Sequence, residues 1–195
     1  MSILGLKLAT DPRWANIAES NIEGILSDHA WCEQKAASNA ISLITSNPDK
    51  PDLVRRLTEI AIEEMEHFQM VIDIIKERNL SLHPENKDDY VNHLYKFMKR
   101  GEGKDQSLVD RLLFAAMIEA RSCERFKVLS ENIQDQELAK FYRDLMISEA
   151  EHYTTFITFA REYGGRVDVD QRWKEWLEFE DNLIRSYGVN QTIHG

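Results

Sequence analysis

Two short quartets carry the clearest chemistry in this chain: Glu64-Met65-Glu66-His67 and Glu149-Ala150-Glu151-His152. On a helix, positions three apart share a face, so each quartet presents one carboxylate and one imidazole to the same point. Oxygen and imidazole donors without a thiolate suit iron or manganese better than zinc. Both the glutamates and the histidines of the two quartets are 85 residues apart, and a second pair of glutamates, Glu33 and Glu119, is 86 apart. Glu33-Gln34-Lys35-Ala36 also aligns with Glu119-Ala120-Arg121-Ser122. This internal repeat predicts two helix pairs related by a pseudo-twofold, with two metals placed symmetrically between them.

The elements that must position these groups are helices with apolar stripes. Leu53, Leu57, Ile60, Val71 and Ile74 follow helical spacing, and Glu64 and His67 interrupt them. Leu138, Phe141, Leu145, Phe156 and Phe159 flank Glu149 and His152 in the same way. Ile22, Leu26, Ala37, Ala40 and Ile44 surround Glu33, and Leu112, Ala115, Phe126, Leu129 and Ile133 surround Glu119. Buried carboxylates need partners, and no lysine or arginine shares these stripes closely enough to supply four. A pair of divalent metals would supply them. One Glu from each of two helices and Glu-x-x-His from each of two others is the ligand pattern of ferritin-like di-iron or di-manganese bundles.

Punctuation agrees with that class. Glycine (8) and proline (4) are sparse and the prolines avoid the periodic segments, which argues for helices over a turn-rich β fold. The expected helices span about 12–45, 51–79, 107–132 and 136–163, with a short one near 88–99 and a Trp-bearing one at 170–187. The sequence therefore predicts an all-α, ferritin-like four-helix bundle with accessory helices, as a single domain over 1–195. Hydrophobic residues at 43% exclude a disordered chain, and no apolar run approaches the ~18 residues of a membrane span. No signal-peptide pattern opens the chain, and two cysteines, Cys32 and Cys123, make no disulfide framework. A soluble, cytoplasmic protein is expected. Cys-x-x-Cys is absent, which removes a rubredoxin-type second centre.

Several motifs resemble the MiaE family of tRNA hydroxylases. Asp28-His29-Ala30-Trp31-Cys32-Glu33-Gln34-Lys35-Ala36-Ala37-Ser38 resembles its first ligand helix, and Glu63-Glu64-Met65-Glu66-His67-Phe68 its first Glu-x-x-His helix. Asp110-Arg111-Leu112-Leu113 and Ile118-Glu119-Ala120-Arg121-Ser122-Cys123-Glu124-Arg125-Phe126 are the most family-specific stretches. Phe141-Tyr142 and Ser148-Glu149-Ala150-Glu151-His152 complete a likeness over roughly residues 18–160. The resemblance implies a non-haem di-iron monooxygenase that uses O2 and an unidentified electron donor to hydroxylate the isopentenyl group of a methylthio-isopentenyl-adenosine beside the tRNA anticodon. By that analogy Glu33, Glu64, His67, Glu119, Glu149 and His152 hold two iron ions, ahead of manganese. Phe68, Phe126 and Phe156 would wall the site from water. A ferritin-like ferroxidase, and a di-iron oxygenase acting on another small or carrier-bound substrate, are the alternatives.

Other residues have weaker claims. His29, one turn before Glu33, and Glu66 and Glu151, beside the two histidines, are candidates for supporting the ligands; a satisfied core histidine and solvated helix faces are the plainer readings. Glu124 breaks the 85-residue repeat, so Glu119 is the better ligand. Cys32, Cys123 and the four tryptophans read as packing residues. The net charge of −10 argues against a surface built wholly for nucleic acid. Setting aside four metal-binding glutamates leaves −6, and Lys96, Lys99, Arg100 and Lys104 against Glu102 give a local +3 across 96–104. These four cations are the expected tRNA contacts, with Tyr95 and Phe97 available to stack on bases.

Overall fold

The computed structural model describes residues 4–99, 101–187 and 193, so Arg100 of the basic window lies outside them. The described residues form seven helices and no strand: α1 (Trp14–Ser20), α2 (Ile22–Ser46), α3 (Pro51–Glu77), α4 (Asp89–Phe97), α5 (Lys104–Asn132), α6 (Gln136–Tyr163) and α7 (Val169–Tyr187). None is long and apolar enough to cross a membrane. The described residues divide into two units, one over 20–87 with 193, the other over 4–19, 88–99 and 101–187.

In the first unit α2 packs along α3. Asn47 closes α2 by donating to the carbonyls of Ile44 (3.1 Å) and Leu43 (2.9 Å), and Pro51 opens α3 where a missing N–H costs nothing. Beyond α3, Asn79 takes the left-handed conformation (φ 53°) and turns the chain back. The following residues run along α2. Ser81 N donates to Glu23 (2.7 Å), His83 N to the Ser27 hydroxyl (3.0 Å) and Trp31 Nε1 to the His83 carbonyl (2.8 Å), while Lys35 pairs with Glu85 (3.0 Å). Glu23, Ser27, Trp31 and Lys35 are four residues apart, so one stripe of α2 holds the whole connector.

The single helix expected over 12–45 is two helices. Asn21 leaves helical space (φ −140°, ψ 51°), and asparagine side chains compete well with helical hydrogen bonding. Its side chain lies over the first turn of α2, where a Cβ at position 24 would stand 2.5 Å from Asn21 Nδ2. Gly24 leaves that space open.

The second unit is built on α5, which packs along α6 after a short turn capped by Asp135; that carboxylate accepts from Glu137 N (3.1 Å) and Leu138 N (3.0 Å). Nineteen of the residues of α5 are buried, nearly all round the helix, because α4 and α7 also lie against it. Two buried ion clusters tie it to its neighbours. Asp110 accepts two hydrogen bonds from Arg172 of α7 (2.7 and 3.0 Å) and one from Lys99 N, and Arg172 also donates to the Phe97 carbonyl (2.9 Å). Arg121 donates to Glu180 of α7 (Nε, 2.9 Å), to Glu124 (3.1 Å) and to the Leu8 carbonyl (3.3 Å). Glu124 in turn accepts from the Thr10 amide (2.7 Å) and hydroxyl.

The Arg121 cluster can be tested by truncation. Arg121→Met strands the Glu124 and Glu180 carboxylates in the interior and should lower unfolding stability by about 3–5 kcal/mol, read by chemical denaturation. Adding Glu180→Leu should recover much of that loss, because a matched apolar replacement of a buried pair is nearly neutral.

Candidate metal centre

Each helix hairpin carries one set of donors. In α3 the buried series Leu57, Ile60, Ala61, Val71 and Ile75 includes Glu64 and His67, so helical periodicity alone points both inward. In α2, Ile25, Leu26, Ala30, Ala37 and Ala40 do the same for His29 and Glu33. The hairpin brings Glu33, Glu64 and His67 together, with a ligand atom of each within 4.8 Å of the others. His67 Nδ1 stands 3.6 Å from Glu33 Oε2 and 3.8 Å from Glu64 Oε2. The other oxygen of Glu33, Oε1, is 2.5 Å from His29 Nε2. Burial alone would push the Glu33 carboxyl up, but the His29 charge and hydrogen bond, with further bonds from His67 and Glu64, hold it well below the usual carboxylate range.

The second hairpin repeats the set. Glu119 of α5 and Glu149 and His152 of α6 are buried, and a ligand atom of each lies within 4.8 Å of the others. On α6 they share the stripe of Leu138, Tyr142, Leu145, Phe156 and Phe159. Cys123 is nearby in sequence but is not a thiolate donor. Burial, then the charges of Glu149 and Glu124, push its thiol up to about 12, and it donates to the Met146 carbonyl (3.3 Å).

Each set is therefore two carboxylates and one imidazole, all removed from water. Two carboxylates with a neutral imidazole carry −2, which one divalent cation cancels. The donor chemistry fits iron or manganese and offers nothing that selects zinc.

Other expected site residues end up elsewhere. Glu66 and Glu151 are exposed, because two residues along a helix is about 200° around it, away from the face of Glu64 and Glu149. They do not support the ligands. His29, by contrast, is wholly buried against Glu33. Phe97 is not free to stack on bases: it lies on Phe179 (4.2 Å between centroids, 9° between planes), edge-on to Trp176 and under the Arg172 guanidinium (4.4 Å). Tyr95 is half exposed. Lys96 and Lys104 are exposed, and Lys99 is partly covered and pairs with Glu175 (3.8 Å).

Lys99 and Lys104 share a cleft of about 470 Å³ with Arg166, Arg172, Glu102, Asp105, Asp168 and Glu175. Several of its charges are already engaged: Arg172 with Asp110 and Glu175, and Asp168 with Gln171 N at 2.9 Å. Sequence reasoning missed Arg166, which enters the cleft from the loop before α7, far in sequence from Lys99 and Lys104. It also missed the partners of Arg121 and Arg172, since an arginine 59 or 62 residues from its carboxylate leaves no local pattern.

Comparison with known proteins identifies the family. Residues 2–195 match the family described as tRNA-(MS2IO6A)-hydroxylase (MiaE). A tRNA 2-(methylsulfanyl)-N(6)-isopentenyladenosine(37) hydroxylase of Pseudomonas putida is 38% identical over 185 residues, covering 95% of this chain and 89% of that protein. A protein of the same name from Salmonella typhimurium is 32% identical over 142 residues, covering 73% of this chain and 51% of the relative. Among solved structures, a Synechococcus protein described as having aldehyde deformylating oxygenase activity is similar at a TM-score of 0.89 and 30% identity, over 99% of this chain and 96% of that one. The all-α, ferritin-like class expected from the sequence stands. With the family matched along its whole length and both donor sets in their hairpins, the chain belongs to the MiaE family of tRNA hydroxylases.

Proposed function

We propose that this protein is a di-iron, O2-dependent monooxygenase that hydroxylates the isopentenyl group of the modified adenosine next to the tRNA anticodon. The observation that carries this reading is the pair of buried two-carboxylate, one-imidazole sets in a chain that matches a tRNA hydroxylase family from residue 2 to 195. In this reading 1–195 works as one ferritin-like domain, in which Glu33, Glu64 and His67 and their repeat mates Glu119, Glu149 and His152 complete one dinuclear centre. Four carboxylates then carry −4 and two divalent ions +4, which removes the penalty for burying either. Iron is preferred to manganese because the family activity is an oxygenation.

When bound, a ferrous pair would supply electrons to dioxygen and with them the power to insert one oxygen atom into an allylic C–H bond of the isopentenyl group. The protein's part is to hold and shield. Glu33, Glu64, Glu119 and Glu149, with His67 and His152, would hold the ions in a site closed to water. Phe156, one turn beyond His152, and Phe126, two turns beyond Glu119, are buried and keep water from that side of α6 and α5. The reaction consumes two electrons beyond those of the substrate, so a separate reductant is a partner.

The tRNA needs positive charge for its phosphates, and we assign this to Lys96, Lys99 and Lys104, with Arg166 on the same cleft as two of them. A second reading, a di-iron oxygenase acting on a small aldehyde-like substrate, is favoured by one observation, the likeness to the Synechococcus protein.

Three measurements test the proposal. Anaerobic iron loading should give about two irons per chain, and Glu64→Ala or His152→Ala should each lose at least one; full occupancy in both variants would refute the ligand assignment. Mass spectrometry of tRNA nucleosides should show the hydroxylated adenosine missing from a deletion strain and restored by the wild-type gene but not by Glu64→Ala. Persistence of that nucleoside without the protein, together with turnover of an aldehyde, would favour the second reading. Lys96→Glu with Lys104→Glu should weaken tRNA binding, lower its salt slope by about 2 and leave iron content intact.

A further inference from the structure

The two halves of the internal repeat differ at one position that touches a ligand. His29 lies one helical turn before Glu33, is wholly buried, and places Nε2 2.5 Å from Glu33 Oε1. The remaining oxygen, Oε2, stands 3.6 Å from His67 Nδ1, and Glu64 Oε2 is 3.8 Å from the same imidazole nitrogen. The donor atoms that a metal would join are thus Oε2, Nδ1 and Glu64 Oε2, while Oε1 is turned toward His29. In the other half the position four residues before Glu119 is Ala115, which is buried and has no group to donate. The brace is made within α2 alone, so it forms with that helix.

We propose that His29 is a positioning residue that restricts Glu33 to donating one oxygen, and that its replacement by Ala115 in the repeat makes the two metal sites unlike. Resting on the metal-centre reading above, this predicts one site whose carboxylate is preset by the His29 hydrogen bond before metal arrives, and one in which position 115 contributes no such donor. A preset donor gives up less freedom on binding, and hydrogen bonds to ligand groups of this kind are worth about 10- to 100-fold in metal affinity. The pseudo-symmetry of the sequence would then hide two sites of different affinity and different flexibility.

Equilibrium dialysis of the metal-free chain against ferrous iron under argon reads this without any turnover, and Mössbauer spectra of the bound iron distinguish the sites. Wild-type protein should bind about two irons with two distinct ferrous signals. His29→Leu should weaken one site by about 10- to 100-fold and shift its signal alone, and His29→Gln, whose amide still donates, should regain most of the affinity. Glu33→Ala should damage the same site, and adding His29→Leu to it should change nothing further, because the histidine acts through that glutamate. His29→Met serves as a second non-donor should the leucine variant fail to fold. Wild-type affinity at both sites in the non-donor variants, or additive losses in the double variant, would overturn the role of His29 while leaving the centre itself intact. A wild-type chain that bound no iron would overturn the centre and this proposal together.

Discussion

Four carboxylates set in the apolar stripes of four helices are the constraint from which the rest of this protein follows. Removing a carboxylate from water costs several kcal/mol even after relaxation, and burying several without a cation is not sustainable. Glu33, Glu64, Glu119 and Glu149 are all but inaccessible to solvent. A fold can hold such groups only if each is fixed at short range to something that cancels its charge. Each hairpin gathers its pair by the same local device, a histidine one turn from a glutamate on one helix and a second glutamate opposite it on the next, and the set so formed has the charge that a divalent ion would cancel.

The protein also buries glutamates and aspartates that are not ligands, and the contrast defines what a ligand is here. On α5, Glu124 is as buried as Glu119, yet it is answered by Arg121, the Thr10 amide and the Thr10 hydroxyl. Asp110 is answered by Arg172 and Lys99 N. These clusters lock α7, the chain before α1 and the end of α4 onto α5, and they engage the buried Arg121 and Arg172 in doing so. Glu33, Glu64, Glu119 and Glu149 are instead gathered with histidines in their own hairpins, as donor sets that could hold a metal ion. One helix therefore carries two kinds of buried acid on different faces, one neutralised by protein and one suited to a divalent ion.

Much of this was legible from residue order. Pro51, Asp135 and Gly164-Gly165 mark helix ends by mechanisms confined to a few residues, and the helices start or stop within a few positions of where those residues put them. The stripes were legible too, with slips of one residue: Ile75, Leu43 and Tyr142 are buried where Ile74, Ile44 and Phe141 were expected. Helical repeat is not a whole number, so neighbours at the edge of a stripe compete and packing chooses between them. The break at Asn21 escaped because its cause is a side chain folded over Gly24, not a proline. Glu66 and Glu151 were misplaced by reading nearness in sequence as nearness in space.

The sequence by itself determined the helical class and the inward direction and twofold repeat of Glu33, Glu64, His67, Glu119, Glu149 and His152, because each depends on spacings of three, four or about 85 residues that are written in the chain. Only the tertiary structure decided which acids had protein partners, that Phe97 is sandwiched under Arg172 and on Phe179, that Arg166 joins Lys99 and Lys104 at one cleft, and that Glu33 meets His29 with one oxygen and His67 with the other. The physical reason is one of range. Backbone periodicity fixes direction within a helix, whereas the identity of a buried charge's partner depends on which segments, tens of residues apart, are packed together, and for Glu33 on the rotamer that packing selects.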